Sequence, residues 1–166
     1  MANALFAIGL VLLSQTATAH SSFITTYLLK HDQAGWRLIV SAPLHPVHSV
    51  LVALHGEEAV VAENGSYNVE LANQYFESKI EIVSSENVRL ELEHQKTQLG
   101  NHQRDFVYTI KNMPLILTRL DFSINALAEN IGQHNVVRVI SKKSQSKLVL
   151  KQKNDFRGSL HFTGFE

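Results

Sequence analysis

The sequence predicts an all-β fold, namely an antiparallel β-sandwich with one short helix, and two observations support this prediction. The first is the alternation of apolar and polar residues, which is the pattern of a half-buried strand. In the segment VRLELEH, Val88, Leu90 and Leu92 share one face and charged residues occupy the other. The second is the spacing of such segments, which recur about every 10–15 residues with turn residues between them, as in a sandwich rather than a βαβ fold.

About ten segments have the character of short strands. They are residues 22–30, 36–41, 48–54, 78–84, 88–94, 104–111, 116–126, 135–141, 146–151 and 158–163. Turn-forming sequences separate many of them, such as HDQAG at 31–35 and KNMP at 111–114. No internal repeat, low-complexity tract or linker interrupts the pattern, so we expect a single domain.

One segment, SYNVELANQYF at 66–76, has helical rather than alternating periodicity. Val69, Ala72, Tyr75 and Phe76 fall on one stripe of a helix, and Ser66 is a suitable N-cap. We expect this helix to cover an open end or an edge of the sandwich.

The N-terminus has the pattern of a secretory leader. The apolar run ALFAIGLVLL at 4–13 has the length of a signal-peptide hydrophobic region and is shorter than the roughly 20 residues that span a bilayer. The small residues of TATA at 16–19 form a cleavage site, although no lysine or arginine precedes the apolar run. We therefore expect residues 1–19 to be a signal peptide and residues 20–166 to be one domain of a periplasmic or secreted protein.

Charge and composition exclude several kinds of site. The chain has 15 lysine and arginine residues and 15 aspartate and glutamate residues, so it lacks the positive charge that binds nucleic acid or anionic membranes. Cysteine is absent, which excludes disulfides and thiolate metal sites. After the predicted cleavage site, no apolar stretch is long enough to span a membrane.

Several blocks of the chain resemble the exported N-terminal domains of HupE/UreJ-like membrane proteins and related uncharacterised secreted bacterial proteins. The blocks are AHSSF at 19–23, WRLIVSAPLHPVH at 36–48, NQYFESKIEI at 73–82, IGQHNVVRV at 131–139 and SKLVLKQKNDFRGSLHF at 146–162. The resemblance implies a periplasmic, immunoglobulin-like sandwich with no established activity. It also implies that Gln133 and Asn135 form a loop motif that leads into the penultimate strands.

Nine histidines all follow the predicted cleavage site, and three of them suggest a metal site. After cleavage, His20 would offer its α-amine and Nδ1 to one copper ion, and a second histidine would complete an all-nitrogen site. His45 and His48 are the best partners in the sequence. They would face opposite sides of an extended strand, but Pro46 could bend the segment and bring both rings together. The alternative is a polar connection between strands with both rings in water.

The sequence lacks the common catalytic motifs. It has no G-x-S-x-G, no H-E-x-x-H and no glycine-rich phosphate loop. We therefore expect a non-enzymatic binding or accessory module of the cell envelope, whose partner is an unknown envelope protein or a metal ion. Two alternatives remain open. One is a copper or nickel binding protein that uses His20, and the other is an adhesion or assembly subunit that pairs through an exposed edge strand.

Overall fold

The computed structural model describes residues 23–33, 35–60, 68–100, 103–141 and 145–165. The predicted signal peptide, its cleavage site and His20 lie outside these residues. The described chain is mostly β-structure, with two sheets and two longer helices, and this is consistent with the predicted sandwich. None of the helices in the described ranges is long and apolar enough to cross a membrane.

The elements follow one another along the chain as nine strands with three helical segments between the second and third strands. The strands are β1 Ile24–Asp32, β2 Gly35–Pro43, β3 Ile80–Ser84, β4 Leu92–Leu99, β5 Gln103–Ile110, β6 Leu117–Ile124, β7 His134–Ile140, β8 Gln145–Lys151 and β9 Arg157–Phe165. The helices are α1 Leu44–His55, α2 Glu57–Val60 and α3 Val69–Lys79, and Gln152–Asn154 form a 3₁₀ turn.

The larger sheet has the strand order β4-β5-β2-β1-β7-β8, and the smaller sheet has the order β3-β6-β9. All pairs are antiparallel except one, because β1 runs parallel to β7 with Ile24 opposite His134. The prediction of a purely antiparallel sandwich was therefore wrong at this pair. The chain crosses from β6 in the smaller sheet to β7 in the larger one, and it enters β7 at the end where β1 begins.

Residues 44–55 form α1, whereas the sequence pattern predicted a strand over 48–54. A short apolar run fits either structure, and here the spacing of Val47, Val50 and Leu51 buries one face of a helix. Pro46 lies in the first turn, where its missing N–H is tolerated. The described chain thus has helices of 12 and 11 residues in place of the single predicted helix.

The other boundaries differ by smaller amounts. The predicted helix is α3, and it is capped by Asn68, whose Oδ1 accepts hydrogen bonds from the backbone N–H groups of Glu70 and Leu71. Ser66, the predicted cap, lies outside the described residues. The strand predicted at 88–94 begins only at Leu92, because residues 88–91 form a connection that bridges back to β3 through Val83 and Arg89.

The core lies between the inner face of the larger sheet and a second layer made of α1, α3 and the smaller sheet. Tyr27, Leu38 and Phe106 are fully buried on the inner face. Phe76 of α3 packs on Phe106 with ring centroids 4.9 Å apart. One continuous apolar cluster therefore joins both layers.

The two sheets approach each other most closely where β8 meets β9. Gly158 has no side chain, and a Cβ at this position would lie 3.1 Å from both terminal carbons of Leu148. The absence of a side chain at Gly158 therefore permits this close contact along one side of the sandwich.

A buried amide ties the end of the smaller sheet to the larger one. Asn135, in β7, is fully buried, and its Nδ2 donates to the carbonyl oxygens of Ile124 and Ala126 at distances of 2.9 and 3.0 Å. Its Oδ1 accepts a hydrogen bond of 2.7 Å from Nε2 of Gln133, which in turn donates to Oγ1 of Thr25 in β1. We call Thr25, Gln133 and Asn135 the buried amide network.

We expect Asn135→Ala to lower the free energy of unfolding by about 3 kcal/mol, because three buried hydrogen bonds of about 1 kcal/mol each are lost. The matched control is Asn125→Ala, ten residues earlier, because the Asn125 side chain is exposed and should contribute less than about 0.5 kcal/mol. Urea unfolding measures both values. Equal losses in the two variants would contradict the role of the network.

Candidate functional site

A cavity of about 330 Å³ lies at one end of the sandwich, between two turns. One turn connects β6 to β7, and the other connects β8 to β9. We call this cavity the Gln133 pocket and define it by residues 128–134, residues 151–153 and Phe156, which line it. Both turns are fixed by contacts to the core.

The orientation of the Gln133 amide follows from the backbone. Nδ2 of Asn135 donates to two carbonyl oxygens, which can only accept, so Oδ1 of Asn135 must be the atom that faces Gln133. Gln133 must therefore present its amide nitrogen, which also donates to Thr25 Oγ1 at 3.0 Å and to the carbonyl of His134 at 3.3 Å. The amide oxygen of Gln133 is consequently held on the opposite side, away from the network.

This amide oxygen has no hydrogen-bond partner among the described residues, although Gln133 is only 3% exposed. A buried acceptor without a donor is destabilising by about 1–3 kcal/mol, and native structures usually satisfy such atoms with a water or a ligand. One residue of the pocket lining thus carries a buried hydrogen-bond acceptor whose orientation is fixed by the core.

A second unpartnered atom in the lining is a donor. Nδ2 of Asn130 is buried and has no partner in the described structure. The backbone N–H of Gln133 donates to the carbonyl of Asn130 at 3.1 Å, which fixes the spacing of the two residues. Two residues of the lining therefore each carry a buried amide atom without a partner, an acceptor in Gln133 and a donor in Asn130.

The backbone around the pocket is strained. Leu127, Asp155 and Phe156 have φ angles of 59°, 51° and 55°, and they are three of the four non-glycine residues with positive φ in the described chain. Each such residue is disfavoured by roughly 1 kcal/mol or more. Gly132, with φ of 83°, adopts a similar conformation without a Cβ to strain. Strain of this kind persists only where surrounding contacts enforce it.

Tyr75 of α3 provides one of these contacts. Its hydroxyl accepts a hydrogen bond of 2.7 Å from the backbone N–H of Leu127 and donates to Oε2 of Glu129 at 3.3 Å. Burial raises the pKa of Tyr75 well above its ordinary value, so the hydroxyl keeps the proton that it donates. Lys79 lies 4.0 Å from the same carboxylate and 5.8 Å from the Tyr75 ring centroid.

The rim of the pocket is cationic and partly apolar. Lys151 and Lys153 are exposed, and Ile131 is 95% exposed at the tip of its turn. No residue of the lining carries a hydroxyl or thiol nucleophile. Cationic and apolar groups together at the rim are features by which a pocket can bind a small polar molecule.

The structure places His45 and His48 on α1. Residues three apart on a helix are neighbours on one face. The extended strand in which the rings of His45 and His48 would face opposite sides is therefore not present. His45 is exposed with its Nδ1 3.5 Å from Ser49 Oγ, and His48 is half-buried. Within the described ranges no group of three or more potential ligands could hold a metal ion, and His20 lies outside them.

The family resemblance implied a loop motif at Gln133 and Asn135, and the other residues of this site were not predicted. Tyr75 fitted the apolar stripe of a helix, and nothing in the sequence distinguishes a core tyrosine from one that bonds a distant turn. No role was predicted for Lys151 and Lys153. The one available signal was Gly132, which directly precedes Gln133 and lies two residues after Asn130, a pattern that marks a tight turn with polar side chains.

No protein-family model matches this chain, and comparison with curated proteins found no similar sequence. The resemblance to HupE/UreJ-like exported domains therefore stays a prediction.

We expect Tyr75→Phe to lower the free energy of unfolding by about 2 kcal/mol, because the buried N–H of Leu127 loses its acceptor. Tyr27→Phe is the matched control. Tyr27 is fully buried, and its hydroxyl has no partner among the described residues, so its removal should be neutral or slightly stabilising.

Urea unfolding compares the two variants, and amide hydrogen exchange reports on Leu127 directly. Exchange at Leu127 should accelerate in Tyr75→Phe and remain unchanged in Tyr27→Phe. Similar destabilisation by both substitutions would show that the Tyr75 hydroxyl has no special role.

Proposed function

We propose that this chain is an exported, non-enzymatic binding module of the cell envelope, periplasmic or secreted, with an immunoglobulin-like sandwich as its scaffold. We further propose that it binds its ligand in the Gln133 pocket. The observation that carries the proposal is that Gln133 lines the pocket and that its amide oxygen, oriented by the buried amide network, is buried without a donor.

The energetics of the pocket support binding. The buried amide network sets the orientation of the Gln133 amide before any ligand arrives, so a ligand has to uncover the buried oxygen but does not have to reorient the amide. Backbone strain is concentrated at the turns around it, as is common at functional sites. Residues that pack the core, rather than mobile surface contacts, determine the orientation of Gln133 and the position of Leu127.

The same features restrict the ligand. Because Gln133 presents an acceptor, the ligand must carry an N–H or O–H group. The volume of about 330 Å³ is near the lower end of small-molecule sites, so a small molecule or the end of a chain would fit.

The test compares two neutral amides by ¹⁵N NMR. N-methylacetamide has an N–H group, and N,N-dimethylacetamide has the same carbonyl without it. We expect the first to shift the resonances of residues 130–134 and the side-chain amide of Gln133, and the second to leave them unchanged. Equal shifts from both amides would contradict the assigned role of the Gln133 oxygen.

Two substitutions control for damage to the network. Gln133→Met keeps the shape of the side chain but removes its amide, so it should abolish the response to N-methylacetamide. Thr25→Val removes the hydroxyl at the other end of the network and leaves the Gln133 oxygen in place. It should be destabilised yet retain the response.

A second candidate function is periplasmic copper or nickel binding by His20, His45 and His48. The observation that favours it is the placement of His45 and His48 on one face of α1. In addition, β2 leads directly into α1. The start of β1 lies beside the end of β2, since Thr26 pairs with Ser41, so the start of β1 is at the same end of the sheet as α1. The chain from His20 to Ile24 is four residues long, which is at most about 14 Å when extended.

Titration with Cu(II) tests this candidate. The form that begins at His20 should bind at least about tenfold more tightly than a form with one extra N-terminal residue, because the extra residue removes the α-amine of His20 as a ligand. His45→Ala and His48→Ala should also weaken binding. His31→Ala is the control, because His31 lies at the opposite end of β1 and packs on Trp36. Equal affinity in all forms would eliminate this site.

A further inference from the structure

We infer that the ligand of the Gln133 pocket carries a carboxylate beside an N–H donor, as an N-acylated amino acid or the C-terminal residue of a peptide does. This inference rests on the proposed function, because it specifies what the same pocket binds. Three features of the lining lead to it: its charge, the polarity of its amides and its apolar rim.

The charge of the rim favours an anion. Lys151 and Lys153 both line the pocket, and neither forms an ion pair among the described residues. The one carboxylate of the lining, Glu129, accepts a hydrogen bond from Tyr75 and lies near Lys79. Glu129 thus has partners of its own in Tyr75 and Lys79, although 49% of its side chain is exposed, and the two lysines are available to an anionic group of the ligand.

The turn that carries the two lysines is well fixed. The side chain of Asn154 accepts a hydrogen bond of 2.8 Å from the N–H of Lys151 and donates to the carbonyl of Val149 at 3.0 Å. The N–H of Phe156 closes the turn on the carbonyl of Lys151 at 3.1 Å. The backbone at Lys151 and Lys153 is therefore held at the mouth of the pocket, and only the ends of the side chains need to move.

The amides of Gln133 and Asn130 favour a carboxylate ligand that also carries an N–H donor over other anions. A sulfate ion has no proton to donate, so the Gln133 oxygen would be left without a partner and would repel it. An acylamino acid has an N–H for Gln133, an oxygen for Nδ2 of Asn130, and a carboxylate for the lysines. Its groups match each unpartnered polar atom of the lining in sign.

The apolar part of the lining gives such a ligand a place for its acyl group or side chain. Phe156 and Ala128 are lining residues, and Ile131 exposes nearly its whole side chain at the rim. Contact between the exposed isoleucine and an apolar group of the ligand would stabilise the complex by about 25 cal/mol for each Å² of apolar surface removed from water. A purely polar ion would leave this surface unused.

The experiment is an NMR titration with N-acetylglycine and two close analogues. N-acetylglycinamide lacks the negative charge, and 4-oxopentanoate has a methylene group where N-acetylglycine has its N–H. We expect N-acetylglycine to bind at least about threefold more tightly than either analogue, the effect of one partly exposed charge or hydrogen bond. We expect sodium sulfate to produce no shift at Gln133.

Charge variants test the role of the lysines. Lys151→Gln and Lys153→Gln should each weaken binding of N-acetylglycine and leave binding of N-acetylglycinamide unchanged. Lys147→Gln is the matched control, because Lys147 is exposed on the same strand but does not line the pocket. If N-acetylglycinamide binds as tightly as N-acetylglycine, the inference is wrong and the proposed pocket function survives. If neither compound nor N-methylacetamide shifts the pocket resonances, the proposed function itself fails.

A longer probe identifies the source of the carboxylate. N-acetyl-pentaalanine with a free C-terminus is compared with N-acetylalanine. Tighter binding of the pentapeptide supports the end of a polypeptide as the ligand, and equal binding supports a free acylamino acid. Loss of pentapeptide binding on C-terminal amidation is expected in the first case, and retention of full affinity would overturn the assignment of a carboxylate.

Discussion

Both N–H groups of one buried amide, that of Asn135, are bound to carbonyl oxygens at the end of β6, and the arrangement of this end of the molecule depends on that contact. Backbone carbonyls cannot donate, so they determine which atom of Asn135 faces Gln133. They determine in turn which atom of Gln133 faces away from the network. A local hydrogen-bond requirement at the junction of two sheets thus sets the chemistry of a surface cavity several residues away.

The same junction accounts for the strain in the neighbouring turns. The chain must leave β6 in one layer and enter β7 in the other within the residues 125–133, and Leu127 adopts a left-handed conformation to do so. Two hydrogen bonds offset that strain: the N–H of Leu127 donates to the hydroxyl of Tyr75, and Nδ2 of Asn135 donates to the carbonyl of Ala126. These two hydrogen bonds hold the turn in one conformation, which is what the proposed binding site would require of it.

Short-range patterns in the sequence predicted most of the strands, because a half-buried strand alternates regardless of its neighbours. They did not separate strand from helix at 48–54, where Val50, Leu51 and Val52 give an apolar run that fits both. The parallel pairing of Ile24 with His134 depends on contacts between distant segments, and no local pattern encodes it. The unpartnered oxygen of Gln133 was beyond sequence reasoning for the same reason, since carbonyls of another strand determine its direction.

β1 is the first strand of the described chain, yet it lies in the interior of the larger sheet between β2 and β7. Thr25 and Gln133, which meet across this pairing, are separated by 108 residues. During synthesis, β1 leaves the ribosome long before its second neighbour has been made, and contacts of such long sequence separation form slowly. The nascent polypeptide therefore stays incompletely folded until β7 has emerged, and until then one edge of β1 is open to pairing with other strands.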